Sequence, residues 1–253
     1  MIVGCRPSSA EGMARMSHVK FLKDFVHRAA RQYVRRICLS EFKDQSFSVH
    51  NERPIEYRFA LEALADTKPV TVLDVGTGTT SWPHLLRGCG YLVTAIDNVR
   101  DYWPGGMVNR HWHVMDVDIS MAAQSMHQNY EAITCISVVE HIADHVGAVR
   151  NMVALLKPGG HLVLTTPFSY CNPHPNVYKR ADALYGSRLP YICRSSSAAE
   201  LGQWVACGLS LERRELWRLF TGPVWASGER CDWCHVSTEH EKHQLGCFLF
   251  RKR

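Results

Sequence analysis

Val70 to Val75 (Val-Thr-Val-Leu-Asp-Val) is an apolar, β-branched run that carries an acid near its end and passes directly into Gly76-Thr77-Gly78-Thr79. A run of that kind, almost continuously apolar, is the pattern of a parallel strand covered on both faces. The two glycines allow a sharp backbone turn and let a ligand approach bare peptide groups, as in nucleotide-binding turns. A tight loop needs glycine even without a ligand, so the turn alone restricts the fold more than the function. Tyr91 to Asp97 (Tyr-Leu-Val-Thr-Ala-Ile-Asp) reads as a second apolar strand. Its terminal acid lies about 20 residues beyond the glycines, where an acceptor for ribose hydroxyls belongs. The other reading of Asp97 is a cap on the turn that continues with Asn98.

Three further segments follow in order. Val114-Met115-Asp116-Val117-Asp118-Ile119 ends a short strand with acids. Glu131 to Ser137 reads as a fourth strand leading into Val138-Val139-Glu140-His141-Ile142, and Leu155 to Pro167 reads as a helix end, a Pro158-Gly159-Gly160 turn and a fifth strand. With these pieces the chain resembles the class I S-adenosylmethionine-dependent methyltransferases over residues 70–168. The resemblance implies an α/β fold: a doubly wound, seven-stranded, mostly parallel, Rossmann-like sheet, with an N-terminal helical extension covering the cofactor. It implies S-adenosyl-L-methionine as cofactor, with Asp74, Gly76, Thr77 and Gly78 around its amino-acid part and Asp97 and Asn98 at the ribose. Asp116 or Asp118, with Ile119, would meet the adenine, and Ser137 would lie beside the sulfonium. Thr80 stands where the family has a third glycine, which implies a less tight turn with Thr79 or Thr80 contributing a hydroxyl. A dehydrogenase fingerprint would need glycine at Ser81, and Trp82 and Pro83 crowd the helix start on which its pyrophosphate rests.

At 253 residues, with 46% apolar and 21% charged composition, the chain can bury one substantial core. No apolar run is long enough to span a bilayer. Residues 1–15 lack the apolar middle of a secretory signal and read as a disordered leader. Residues 16–66 read as the helical extension, and 67–253 as the methyltransferase domain, with acceptor-binding loops at 168–194 and 220–244. Ten scattered cysteines, some inside predicted strands (Cys135, Cys247), fit a reducing cytoplasm better than a disulfide scaffold. Between Arg15 and Arg36 seven Lys or Arg face one acid, whereas the whole chain carries +5. Val19, Leu22, Val26, Ala29, Tyr33 and Ile37 recur there at helical spacing, which predicts an amphipathic helix with a basic outer face. Such a helix either packs on the core with its charges solvated or meets an anionic membrane surface or phosphate-bearing substrate. No nucleic-acid recognition module is legible.

His141, at the mouth of the crevice after the fourth strand, is the first candidate for a base, since imidazole titrates near neutrality. The competing reading makes Glu140-His141 a structural turn; His145, His174 and Tyr170 are further candidates. Ser137 occupies the place where a metal-binding relative would carry an extra carboxylate, so no catalytic metal is expected. Cys231-Asp232-Trp233-Cys234-His235 has a zinc-like spacing, but the histidines and the cysteine downstream are irregularly placed. Trp103, Tyr170, Asn172, His174 and Tyr178 suggest a polar, aromatic acceptor pocket, with Trp103, Tyr170 and His174 as candidate acceptor contacts. The resulting expectation is O-methylation of a small-molecule or glycan hydroxyl, such as a sugar, a surface glycan or a glycosylated metabolite. The alternatives are a small-molecule N-methyltransferase and, from another class, a non-catalytic cofactor-binding partner in a glycan assembly complex.

Overall fold

The computed structural model describes residues 9–43, 51–100, 106–121, 126, 129–184 and 191–253. The chain divides into two compact units, Met1–Asn51 and Glu52–Arg253. The first unit contains one described element, the 35-residue helix α1 (Ser9–Lys43). It begins inside the segment expected to be a disordered leader, because Ala10, Glu11, Met13, Ala14 and Arg15 all favour helix.

The second unit opens with α2 (Arg53–Thr67), which has Pro54 in its first turn, where a missing N–H costs nothing. Sequence reading places α2 in the N-terminal extension, up to residue 66. The structure corrects that boundary. Ile55, Phe59, Ala60, Ala63 and Leu64 are buried in one cluster with Val72, Ala132 and Val163 of the sheet.

The sheet comprises β1 (Thr71–Val75), β2 (Leu92–Asp97), β3 (Val114–Asp116), β4 (Tyr130–Ile136), β5 (Leu156–Pro167), β6 (Leu209–Phe220), β7 (Arg230–Val236) and β8 (Leu245–Lys252). Its order is β3-β2-β1-β4-β5-β8-β6-β7. The first five strands are mutually parallel, and β8 runs antiparallel between β5 and β6. The order reverses between β1 and β4, so the connections leave these neighbours in opposite directions and a crevice opens beyond their carboxyl ends.

Side chains alternate between the two faces, as strand geometry demands. Leu73, Val75, Ile133, Cys135, Leu162 and Leu164 point into one core with Ala148, Val149 and Met152 of α4 (His145–Leu155) and Trp204 of α5 (Ala198–Ala206). Val72, Ala132, Ile136 and Val163 point to the other, against α2 and against Trp82 and Leu86 of α3 (Trp82–Gly88). The Pro-Gly-Gly turn expected before the fifth strand lies within β5. Tyr130 pairs with Leu156 and Ala132 with His161, so Lys157 to Gly160 bulge opposite Glu131.

One strand exceeds the expected seven. The segment 220–244, read as an acceptor loop, supplies β7, which pairs antiparallel with β6 as the last strand of the sheet. Cys231 and Cys234 both sit on β7, three positions apart, and the β6–β7 pairing shifts register between Arg230 and Cys234. Among the described residues no three His, Cys, Asp or Glu side chains gather as a metal site.

If α2 is part of this core, Phe59→Ala lowers the stability of the protein by about 3–5 kcal/mol, the usual cost of truncating a buried phenylalanine. Urea unfolding followed by near-ultraviolet dichroism checks this, and an unchanged midpoint would return α2 to the extension.

Candidate functional site

The crevice holds a cleft of about 500 Å3 built on the ends of β1, β2, β3 and β4. That lies within the roughly 300–1,000 Å3 range of small-molecule sites. At its floor, the Asp74 carboxylate accepts hydrogen bonds from Thr77 Oγ1 at 2.6 Å and from Thr134 Oγ1 of β4 at 2.7 Å. Burial pushes Asp74 up to about 7 against the pull of those hydroxyls. Asp74 therefore does not line the main cleft, but borders a smaller recess beside it with Tyr57 and Trp82.

Above Asp74 the chain turns through Gly76 (φ +72°) and Gly78 (φ +57°). A Cβ on Gly76 would stand 2.3 Å from Val138 Cγ2, so both conformation and space demand glycine there. Gly76 N and Thr77 N donate to Ile96 O, and Gly78 N donates to Asp97 Oδ2 at 2.7 Å. Asn109 fastens the turn from the other side, its Nδ2 donating to Gly78 O and Thr80 O at 2.8 and 2.9 Å. Thr80 lines the cleft, and its Oγ1 donates to Thr77 O at 2.9 Å. Thr79 is exposed.

Asp97 and Asn98 line the cleft at the end of β2, and Asp118 and Ile119 line it after β3. Geometry separates the two acids that sequence leaves open. Asp118 accepts from Asn98 Nδ2 at 3.2 Å and caps Ser120 N at 2.8 Å. Asp116 accepts from Val99 N and pairs with the exposed Arg100, outside the cleft lining. Asn151 of α4 pins the Asp118 loop by donating to Ile119 O and Ser120 O.

Ser137 closes the opposite side with φ +52°, a strained value for a residue with a side chain. Three bonds hold it there. Its N–H meets Thr165 O and Oγ1, and its hydroxyl donates to Glu56 Oε1 at 2.5 Å. Glu56 is fully buried, and it also accepts from Thr165 Oγ1 at 2.6 Å and Arg53 Nη1 at 2.9 Å. Arg53 lines the cleft as well.

His141 lines the cleft too. Its Nδ1 lies 2.6 Å from Ile192 O, and because a carbonyl only accepts, Nδ1 carries the proton and Nε2 is the basic nitrogen. Burial holds the imidazole pKa below its usual value. Neighbouring Glu140 is buried and pushed up to about 8 by desolvation, so at neutral pH it is mostly uncharged and adds little to hold a proton on the ring. Tyr191 flanks His141 edge-on at 5.3 Å and also lines the cleft.

The candidate acceptor contacts do not gather here. The Tyr170 hydroxyl is held by Arg214, and its ring packs on Phe168 and His243. His174 bridges to Ser195 through the backbone and accepts from Asn176 N. Neither lines the cleft. Tyr178 is buried behind His141. Trp103 lies outside the described residues. Sequence reading missed Arg53, Glu56, Asn109, Asn151 and Tyr191 as site residues. They carry no local motif and reach the site only through long-range packing.

A family profile described as a methyltransferase domain matches residues 22–222. Similar curated proteins include the ubiquinone biosynthesis O-methyltransferase of Alkalilimnicola ehrlichii, 26% identical over 139 residues, covering 51% of this chain and 53% of that one. The enzyme of the same name from Serratia proteamaculans is 27% identical over 127 residues, covering 47% and 51%. The chain spans about half the length of these relatives. Among solved structures, the 1,6-didemethyltoxoflavin-N1-methyltransferase of Burkholderia thailandensis superposes with a TM-score of 0.54 at 13% identity, covering 99% of this chain and 93% of that one. An S-adenosylmethionine-dependent methyltransferase of Clostridium acetobutylicum gives 0.52 at 13% identity, covering 90% and 98%. Identities this low speak to fold alone.

The steric account of the turn makes a double-mutant prediction. Gly76→Ala costs about 1–3 kcal/mol of stability from backbone strain, with a further loss from the Val138 clash that Val138→Ala relieves in part in the same background, its Cβ still standing 2.9 Å away. Chemical denaturation of the single and double variants measures both parts, and strictly additive losses would contradict the contact.

Proposed function

The chain belongs to the methyltransferase-domain family of class I, S-adenosylmethionine-dependent enzymes, and from that premise we propose that it transfers a methyl group to a hydroxyl of a small acceptor with a flat, apolar or aromatic body. The observation that carries this reading is a neutral histidine on the wall of the cleft that also contains the glycine turn and Asp97.

The donor set fits S-adenosylmethionine. Asp97 and Asn98 would take the ribose hydroxyls, Asp118 and Ile119 the adenine, and Gly76 to Gly78 the amino-acid part, with Ser137 and Arg53 nearby. Bound there, the cofactor supplies an electrophilic methyl group that needs alignment and exclusion of water more than activation.

The chain's own contribution is then proton handling and orientation. Ile192 O fixes the His141 tautomer, so that Nε2, which lies 3.9 Å from Glu140 Oε1, is the nitrogen that would take the proton of an acceptor hydroxyl. Val138, Ile142, Ala143 and Tyr191 complete the lining with apolar and aromatic surface. That surface favours a planar or apolar acceptor body over a sugar, since the residues that suggested a sugar pocket do not line the cleft. The curated relatives, named as O-methyltransferases, support oxygen as the methylated atom.

Transfer of labelled methyl to a panel of phenols, sugars and amines tests the reading. The expected result is labelling of phenolic or other hydroxyl acceptors, with a rate that falls about 10²–10⁴-fold in His141→Asn. Because burial disfavours the imidazolium, kcat/KM rises with pH to a plateau whose midpoint lies below the ordinary histidine value of about 6.5. Labelling of amines alone, or an unchanged rate in His141→Asn, would overturn it. Labelling of sugars alone would restore the carbohydrate reading.

A further inference from the structure

Helix α1 carries two opposed arcs. Leu22, Phe25, Val26, Ala29, Tyr33 and Ile37 recur every three or four residues and form one stripe. Lys20, Arg28, Arg31 and Arg35 fall in an arc of roughly 80° centred about 160° from that stripe, counting about 100° per residue. Arg36 lies within the apolar stripe, where a long side chain can lay its stem on apolar surface and lift its charge to the boundary.

The apolar stripe has nowhere to go within its own unit. Among the described residues of Met1–Asn51, α1 is the one element, and a lone helix cannot bury its own stripe. Accordingly Leu22 is 62% exposed, Phe25 62%, Val26 53% and Tyr33 68%. Exposure of that much contiguous aromatic and aliphatic surface marks an interaction site.

Charge decides the occupant. The stretch from Arg15 to Arg36 holds seven basic residues and one acid, more positive than the chain as a whole. A second copy of the helix would bring two such surpluses together, and like charges oppose that pairing. A surface of anionic headgroups over an apolar interior complements both arcs at once. Among the described residues no helix is long and apolar enough to cross a membrane, so the helix would lie along the surface.

We infer that α1 is an interfacial anchor that docks this protein on anionic lipid bilayers. Its apolar stripe sits at the headgroup boundary with Arg36 among the lipid phosphates, and the basic arc above them lies about one helix diameter away, within the screening length of their charge. The docking holds whatever acceptor the cleft takes.

Sedimentation of the full chain tests this, using vesicles of phosphatidylcholine alone and of phosphatidylcholine mixed with phosphatidylglycerol. Salt is raised from about 0.1 M to about 1 M, which shortens the screening length from about 10 Å to about 3 Å. The expected result is partitioning at least about tenfold stronger on the mixed vesicles, lost at the higher salt. Combined Arg28→Gln, Arg31→Gln and Arg35→Gln lowers it roughly a hundredfold, at about 1 kcal/mol for each basic residue. Leu22→Ser with Phe25→Ser lowers it on both vesicle types. Both variants keep the unfolding midpoint of the Glu52–Arg253 unit, which separates loss of docking from loss of fold. Equal partitioning on the two vesicle types, absence of sedimentation, or a dimer abolished by the apolar substitutions would overturn the inference.

Discussion

Two hydroxyl-to-carboxylate hydrogen bonds on Asp74, one of them across the seam between β1 and β4, lie beneath the cleft. Asp74 receives Thr77 from its own turn and Thr134 from the neighbouring strand, in a place without solvent. Buried polar groups are tolerated only when satisfied, so this small network also fixes how β1 and β4 end relative to each other. The glycine turn rests on it, and Trp82 reaches the same Thr134 through its indole nitrogen. Loosening the seam would move the backbone amides of the turn and the β2 carboxylate that Gly78 grips.

A second buried carboxylate does for β4 and β5 what Asp74 does for β1. Glu56 comes from α2, and it joins Ser137, Thr165 and Arg53 in one cluster. Breaking a buried network of this kind by removing its acid is costly, since several donors lose their acceptor together. The strained backbone at Ser137 is one thing this cluster sustains. Helix α2 therefore belongs to the site as well as to the core.

What was legible in the sequence is what local chemistry dictates. The apolar runs of β1, β2, β4 and β5 and the glycine turn follow from residue type and order, and Asp97, Ser137 and His141 line the cleft beyond them. Asp116 and Asp118 could not be separated by order, because their difference lies in which way each side chain leaves a three-residue strand. Arg53 and Glu56 were not legible as site residues, since nothing near them marks contacts more than eighty positions away. Tyr170 and His174 misled for the converse reason. Their residue types suit a pocket, but Arg214 and the Ser195 backbone draw them elsewhere. Cys231 and Cys234 have a ligand-like spacing, and the segment that carries them folded into β7.

The account rests on the cleft at the ends of β1 and β2 being shaped for the cofactor. Calorimetric titration of the folded chain with S-adenosylhomocysteine tests this most directly, beside an Asp97→Ala variant. One equivalent of heat is predicted for the wild type, with affinity weakened roughly 10- to 100-fold in the variant, as loss of charged hydrogen bonds requires. No heat from well-folded wild-type protein, or equal affinity in the two, would contradict it.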